Sequence, residues 1–82
     1  RTLLAEGLNV FRITVPSRLK DKTLAESRMR QKTGCNLIAL SRNGRMTINP
    51  DPQYRFQEND ELVLIGTDEA QQKFFQAFSA RI

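Results

Sequence analysis

Lys22-Thr23-Leu24-Ala25-Glu26-Ser27-Arg28-Met29-Arg30-Gln31-Lys32-Thr33-Gly34 runs straight into Cys35-Asn36-Leu37-Ile38-Ala39-Leu40. This stretch holds a helix start, a helix stop and a strand. Thr23 and Glu26 have the spacing of a capping box, in which the hydroxyl accepts an orphan N–H and the carboxylate reaches back to the cap. The helix is expected to open at Thr23 and to continue through Met29 and Arg30 to Thr33. Gly34 then supplies the left-handed C-cap that side chains with a Cβ adopt at a cost. Arg28, Arg30 and Lys32 fall toward the C-terminal end, where the helix dipole favours positive charge. Cys35 to Leu40 is nearly continuously apolar, as a strand buried on both faces would be.

Working outward, Leu8 to Val15 alternates apolar and polar from Phe11 onward and predicts a half-buried strand. Pro16 ends it, and Ser17 to Lys22 is a polar connection. On the other side, Asn43-Gly44 between two strand-like runs predicts a tight hairpin, with Met46-Thr47-Ile48 as the returning strand. Asn49-Pro50-Asp51-Pro52 breaks regular structure. Gln53 to Asp60 is a polar loop pinned by Tyr54 and Phe56, and Glu61 to Gly66 is the last strand. Thr67-Asp68-Glu69 opens a second helix, with Ala70, Phe74, Ala77 and Phe78 spaced as one apolar stripe. The order β-α-β-β-β-α predicts an α+β domain: a mostly antiparallel four-stranded sheet with two helices packed on one face. Residues 1–7 are too short and too charged for a secretory segment and are expected to end an upstream linker, with 8–82 as a single domain. The missing initiator Met suggests a piece of a longer protein.

Composition narrows the function. A chain of 82 residues has a thin core, and self-association is the expected remedy, with Leu37, Ile38, Phe74 and Phe78 as apolar contacts. There is no His and only one Cys, so the common general base and the usual zinc sites are missing. Cys35, heading an apolar run, reads as a small buried hydrophobe. The four glycines are isolated, so no phosphate-cradling loop can be built, and no serine has a candidate base except lysine. No enzyme activity is expected. Glu58, Asp60 and Glu61 form an acidic turn whose ordinary role is solvation, with a hard-cation site as the alternative. Residues 1–45 carry ten basic and three acidic side chains, residues 46–82 three and six. A basic half is either a solvated face or an attraction for anions. Aromatic residues are not interleaved with its cations, which argues against nucleic acid. No apolar run is long enough to span a membrane.

In the order they occur, Lys22-Thr23-Leu24-Ala25-Glu26, Arg30, Thr33-Gly34 with its apolar strand, Arg42-Asn43-Gly44, Pro50-Asp51-Pro52 and Asn59-Asp60-Glu61-Leu62-Val63-Leu64-Ile65-Gly66 resemble the motifs of the TrkA-C (RCK-C) domain family. The resemblance covers about residues 8 to 78. Asn59 and Asp21 stand where that family usually has Gly, and both residue types tolerate positive φ. The resemblance implies a cytoplasmic, dimeric regulatory domain of a potassium or other ion channel or transporter. It would couple to an upstream nucleotide-binding (RCK-N) or membrane transport domain. It further implies a possible effector, cyclic di-AMP, bound at the dimer two-fold axis without any other cofactor. Carried over residue by residue, the ligand-binding positions are Leu24, Arg30, Asn36, Leu37 and either Pro50 or Pro52. A ligand-free dimerisation domain fits the same residues, as does a helix-dipole role for Arg30 with local bonding by Asn36. Nucleic-acid binding is the third and least favoured alternative.

Overall fold

The computed structural model describes residues 2–3 and 7–79. Strands β1 (Thr2–Leu3), β2 (Leu8–Thr14), β3 (Asn36–Arg42), β4 (Arg45–Ile48) and β5 (Glu61–Thr67) form one sheet in the order β1-β2-β5-β3-β4. Every neighbouring pair is antiparallel. The four expected strands are all present. Thr2 and Leu3 add a two-residue edge opposite Val10 and Asn9, within the segment expected to be linker; residues 1 and 4–6 lie outside the described residues. Helices α1 (Leu24–Ser27), α2 (Met29–Thr33) and α3 (Asp68–Phe78) complete the chain, with a 3-10 turn at Ser17–Leu19.

The register decides which side chains meet. Phe11 lies opposite Leu64 and Ile13 opposite Leu62, while Leu37 and Leu40 of β3 lie opposite the same two residues of β5. Apart from Ile13, which is half-buried against it, these inner residues form one cluster with Leu19, Met29, Cys35, Phe56, Ala70, Phe74 and Phe78. A register shift between Leu37 and Ala39 is a β-bulge, which lets residues three apart, Leu37 and Leu40, both point inward. The expected stripe of α3 is therefore core: Ala70, Phe74 and Phe78 are buried. Leu37, Phe74 and Phe78 are satisfied within one chain, so they are not the apolar surplus that would drive self-association. The exposed large apolar side chains are instead Leu8, Met46, Ile48 and Phe75.

Gly66 earns its identity from a close approach. A Cβ there would stand 3.0 Å from Cys35 Sγ and 3.1 Å from Ala70 Cβ, where β5 hands over to α3. Cys35 is wholly buried, and the loss of water raises its thiol pKa. It packs as a hydrophobe.

The first helix is not continuous. Thr23 caps it as expected: its hydroxyl accepts the Glu26 N–H at 3.0 Å and Glu26 Oε1 accepts the Thr23 N–H at 2.8 Å. Five residues after Thr23, Arg28 turns left-handed, with φ 52 and ψ 39, and separates α1 from α2. The local cause is Ser27. Its buried hydroxyl donates to the Leu24 carbonyl at 2.6 Å and accepts the Met29 N–H at 3.2 Å, replacing the regular helical ladder with side-chain bonds.

A cleft between the broken helix and the proline loop

The loop after β4 is stitched to the start of α1. Leu24 N–H donates to the Tyr54 carbonyl at 3.0 Å and Ala25 N–H to the Pro52 carbonyl at 2.8 Å. Two orphan donors of the helix N-terminus are thus satisfied by the loop. Farther along, Asp21 N–H bonds the Phe56 carbonyl and Phe56 N–H the Lys22 carbonyl, each at 2.9 Å. The loop's entry is fixed from the other side, where Asn49 N–H donates to the Ile38 carbonyl at 2.9 Å. Pro50 and Pro52 are held between these anchors, beside α1 and the head of β3.

The space left between them is a cleft of about 390 Å³, within the range of roughly 300–1,000 Å³ usual for small-molecule sites. Leu24, Arg30, Asn36, Leu37, Pro50 and Pro52, drawn from four separate segments, all line it. Both Pro50 and Pro52, between which the resemblance left a choice, are in the wall. Ala25, Arg28, Met29, Gln31 and Asn49 line it too. No carboxylate does. Arg28 and Arg30 are exposed and make no ion pair among the described residues. The cleft therefore combines apolar walls, amide groups and uncompensated positive charge. That combination suits a ligand with flat apolar faces, hydrogen-bonding edges and negative charge.

Arg28 and Asn49 escaped the sequence reading. Both have positive φ, 52 and 50, and a long helix-forming side chain such as Arg28 carries no signal for that conformation. Asn49 before a proline was legible as a break but not as a wall. By contrast, Asp21 and Asn59 do take the positive φ anticipated for them, 69 and 74.

The acidic turn is engaged elsewhere. Asp60 is buried and accepts from Tyr54 Oη at 2.6 Å, the Gln57 N–H at 2.9 Å and Arg42 Nε at 3.3 Å. Arg42 also donates to the Tyr54 hydroxyl. Burial first, then the bond to Asp60, pushes the Tyr54 pKa up to about 12. Glu61 pairs with Arg12 at 2.7 Å and Glu58 with Lys20 at 3.7 Å. Each acid thus meets a basic partner, which fills the role a cation would have had.

Fold and cleft together define a small α+β domain: a sheet covered on one face by helices, with an open cleft at its rim whose charged side chains are all cationic. Residues 10–79 match the TrkA-C domain, and the chain belongs to that family. It is 32% identical over 62 residues to "Probable potassium channel protein 2" of Methanocaldococcus jannaschii, covering 76% of this chain and 18% of that protein. Among solved structures it is similar to the GsuK channel bound to NAD, with 40% identity, a TM-score of 0.80, and coverage of 93% of this chain and 14% of that one. It also superposes on the RCK C domain of the potassium transport protein KtrA in complex with cyclic diadenosine monophosphate. There the identity is 22%, the TM-score 0.80, and the coverage 88% and 85%. The chain spans less than a third of the length of the curated relatives it matches. Among the described residues no helix is long and apolar enough to cross a membrane.

Proposed function

We propose that this domain is the cytoplasmic effector-sensing part of a potassium channel or transporter. It works as a homodimer that binds cyclic di-AMP across its two-fold axis and passes the change to an upstream nucleotide-binding or membrane domain. Its role is binding without catalysis. One observation carries the proposal: six residues chosen from separate motifs converge on a single cationic cleft that contains no acid. In this reading each copy supplies one half-site. Arg30 forks onto a phosphate, Asn36 bonds an adenine edge, and Leu24 and Leu37 pack against base faces with Pro50 and Pro52. The KtrA domain of the same fold, described with that ligand, supports the choice of effector.

Isothermal titration with cyclic di-AMP is the test. The wild-type domain is expected to bind with a stoichiometry of one ligand per two chains. Arg30→Ala removes a charge-assisted contact of roughly 1.5–3 kcal/mol from each half-site. Affinity should then fall at least tenfold, because about 1.4 kcal/mol is one decade. Arg30→Lys should recover only part of the loss, since a point charge does not reproduce a planar fork. No heat and no thermal shift at millimolar ligand would rule the proposal out.

A further inference from the structure

In a continuous helix two residues at i and i+2 point to nearly opposite sides. Arg28 and Arg30 stand at that spacing, yet both line the same cleft. The left-handed turn at Arg28, φ 52 and ψ 39, makes this possible by resetting the direction of the chain between α1 and α2. That conformation is strained for a residue with a Cβ and comes readily only to Gly, and less so to Asn or Asp. The buried Ser27 hydroxyl braces it from both sides. The strain brings no compensating contact to the Arg28 side chain, which is exposed and has no hydrogen bond or ion pair among the described residues. Residues held in such sparsely populated backbone conformations cluster at ligand-binding sites.

We infer that Arg28 is a second anion-contacting residue of the cleft and sets the ligand charge it prefers. The inference rests on the effector-binding reading of the same cleft. With Arg28 counted, two exposed arginines and no carboxylate line the cleft in each chain. Two copies facing one another present four. That excess favours a ligand with at least one full negative charge for each half-site, a dinucleotide rather than a nucleoside, and makes binding unusually sensitive to salt.

Three proteins titrated with cyclic di-AMP, each at low and high sodium chloride, test this. The wild-type chain should bind and should lose affinity steeply as salt rises. Arg28→Gly relieves the left-handed strain, so its melting temperature should be equal to or above the parent's, while its affinity falls about tenfold and its salt dependence flattens. Arg28→Lys keeps both the strain and the charge; its melting temperature should match the parent's and its affinity should lie between the other two. If the wild type binds but Arg28→Gly binds as tightly and with the same salt dependence, the assignment of Arg28 is overturned and the effector reading stands. An Arg28→Lys protein as weak as Arg28→Gly also overturns it, because charge would then not be what the residue contributes. If the wild type does not bind, the effector reading itself fails and takes this inference with it.

Discussion

Tyr54 is half-buried between two partners of opposite charge. It lies 4.9 Å below the Arg42 guanidinium, measured to the ring centroid, and donates to Asp60. Its folded pKa, pushed up to about 12 from the ordinary 10, means that the folded state holds the phenolic proton more tightly than the unfolded chain does. The stability this contributes is fully present below pH 10 and is lost as the pH rises through about 12. Denaturation midpoints of the wild type should therefore fall more steeply between pH 10 and 12 than those of Tyr54→Phe. Equal slopes would mean the shift does not operate in solution. The residue types here were visible in the sequence, with Tyr54 as an apolar pin and Asp60 in an acidic turn. Their joining was not, because Arg42, Tyr54 and Asp60 come from a hairpin, a loop and a strand entry that meet only once the sheet has formed.

At the scale of elements, the first helix shows how far local chemistry reaches. The capping box at Thr23 follows from two side chains three residues apart and is present with both bonds. Thr23→Ala should destabilise the domain by about 1 kcal/mol without changing the fold. The denaturant midpoint measures this directly, and an unmoved midpoint would show that the loop bonds to Leu24 and Ala25 hold the helix start alone. The break at Arg28, five residues on, was not legible. Propensity favours Arg28, Met29 and Arg30 continuing the helix, and only the burial of Ser27 makes its hydroxyl turn to the backbone. The hairpin at Asn43-Gly44 was legible for the opposite reason. Both residues take positive φ, 52 and 80, which the two-residue turn demands and the residue types advertise.

Across the whole molecule the sheet has two unlike faces. The inner face carries the core beneath the helices. On the outer face, cross-strand pairing places Ile48 beside Ala39 and Met46 beside Ser41. Ile48 is 65% and Met46 52% exposed. Both sit on β4, an edge strand whose four residues are all exposed, and such an edge is a liability that proteins commonly cover. Together with the half-site proposed for the cleft, this predicts a homodimer at micromolar concentration. Sedimentation equilibrium should give twice the 9.4 kDa chain mass. A single 9.4 kDa species throughout that range would contradict it.

What the sequence determined alone is whatever depends on spacing along the chain. This includes the order β-α-β-β-β-α, the caps at Thr23 and Gly34, the turn at Asn43-Gly44 and the stripe of α3. Each follows from side chains a few residues apart acting on one stretch of backbone. Tertiary structure alone decided what depends on distance through space. It turned Arg28 left-handed to join Arg30, made Asn49 a wall of the cleft, buried Phe74 and Phe78 within one chain, and gave Asp60 to Arg42 and Tyr54. Burial creates these choices: a hydroxyl or carboxylate removed from water must find a partner, and that partner is set by the packing of elements distant in sequence.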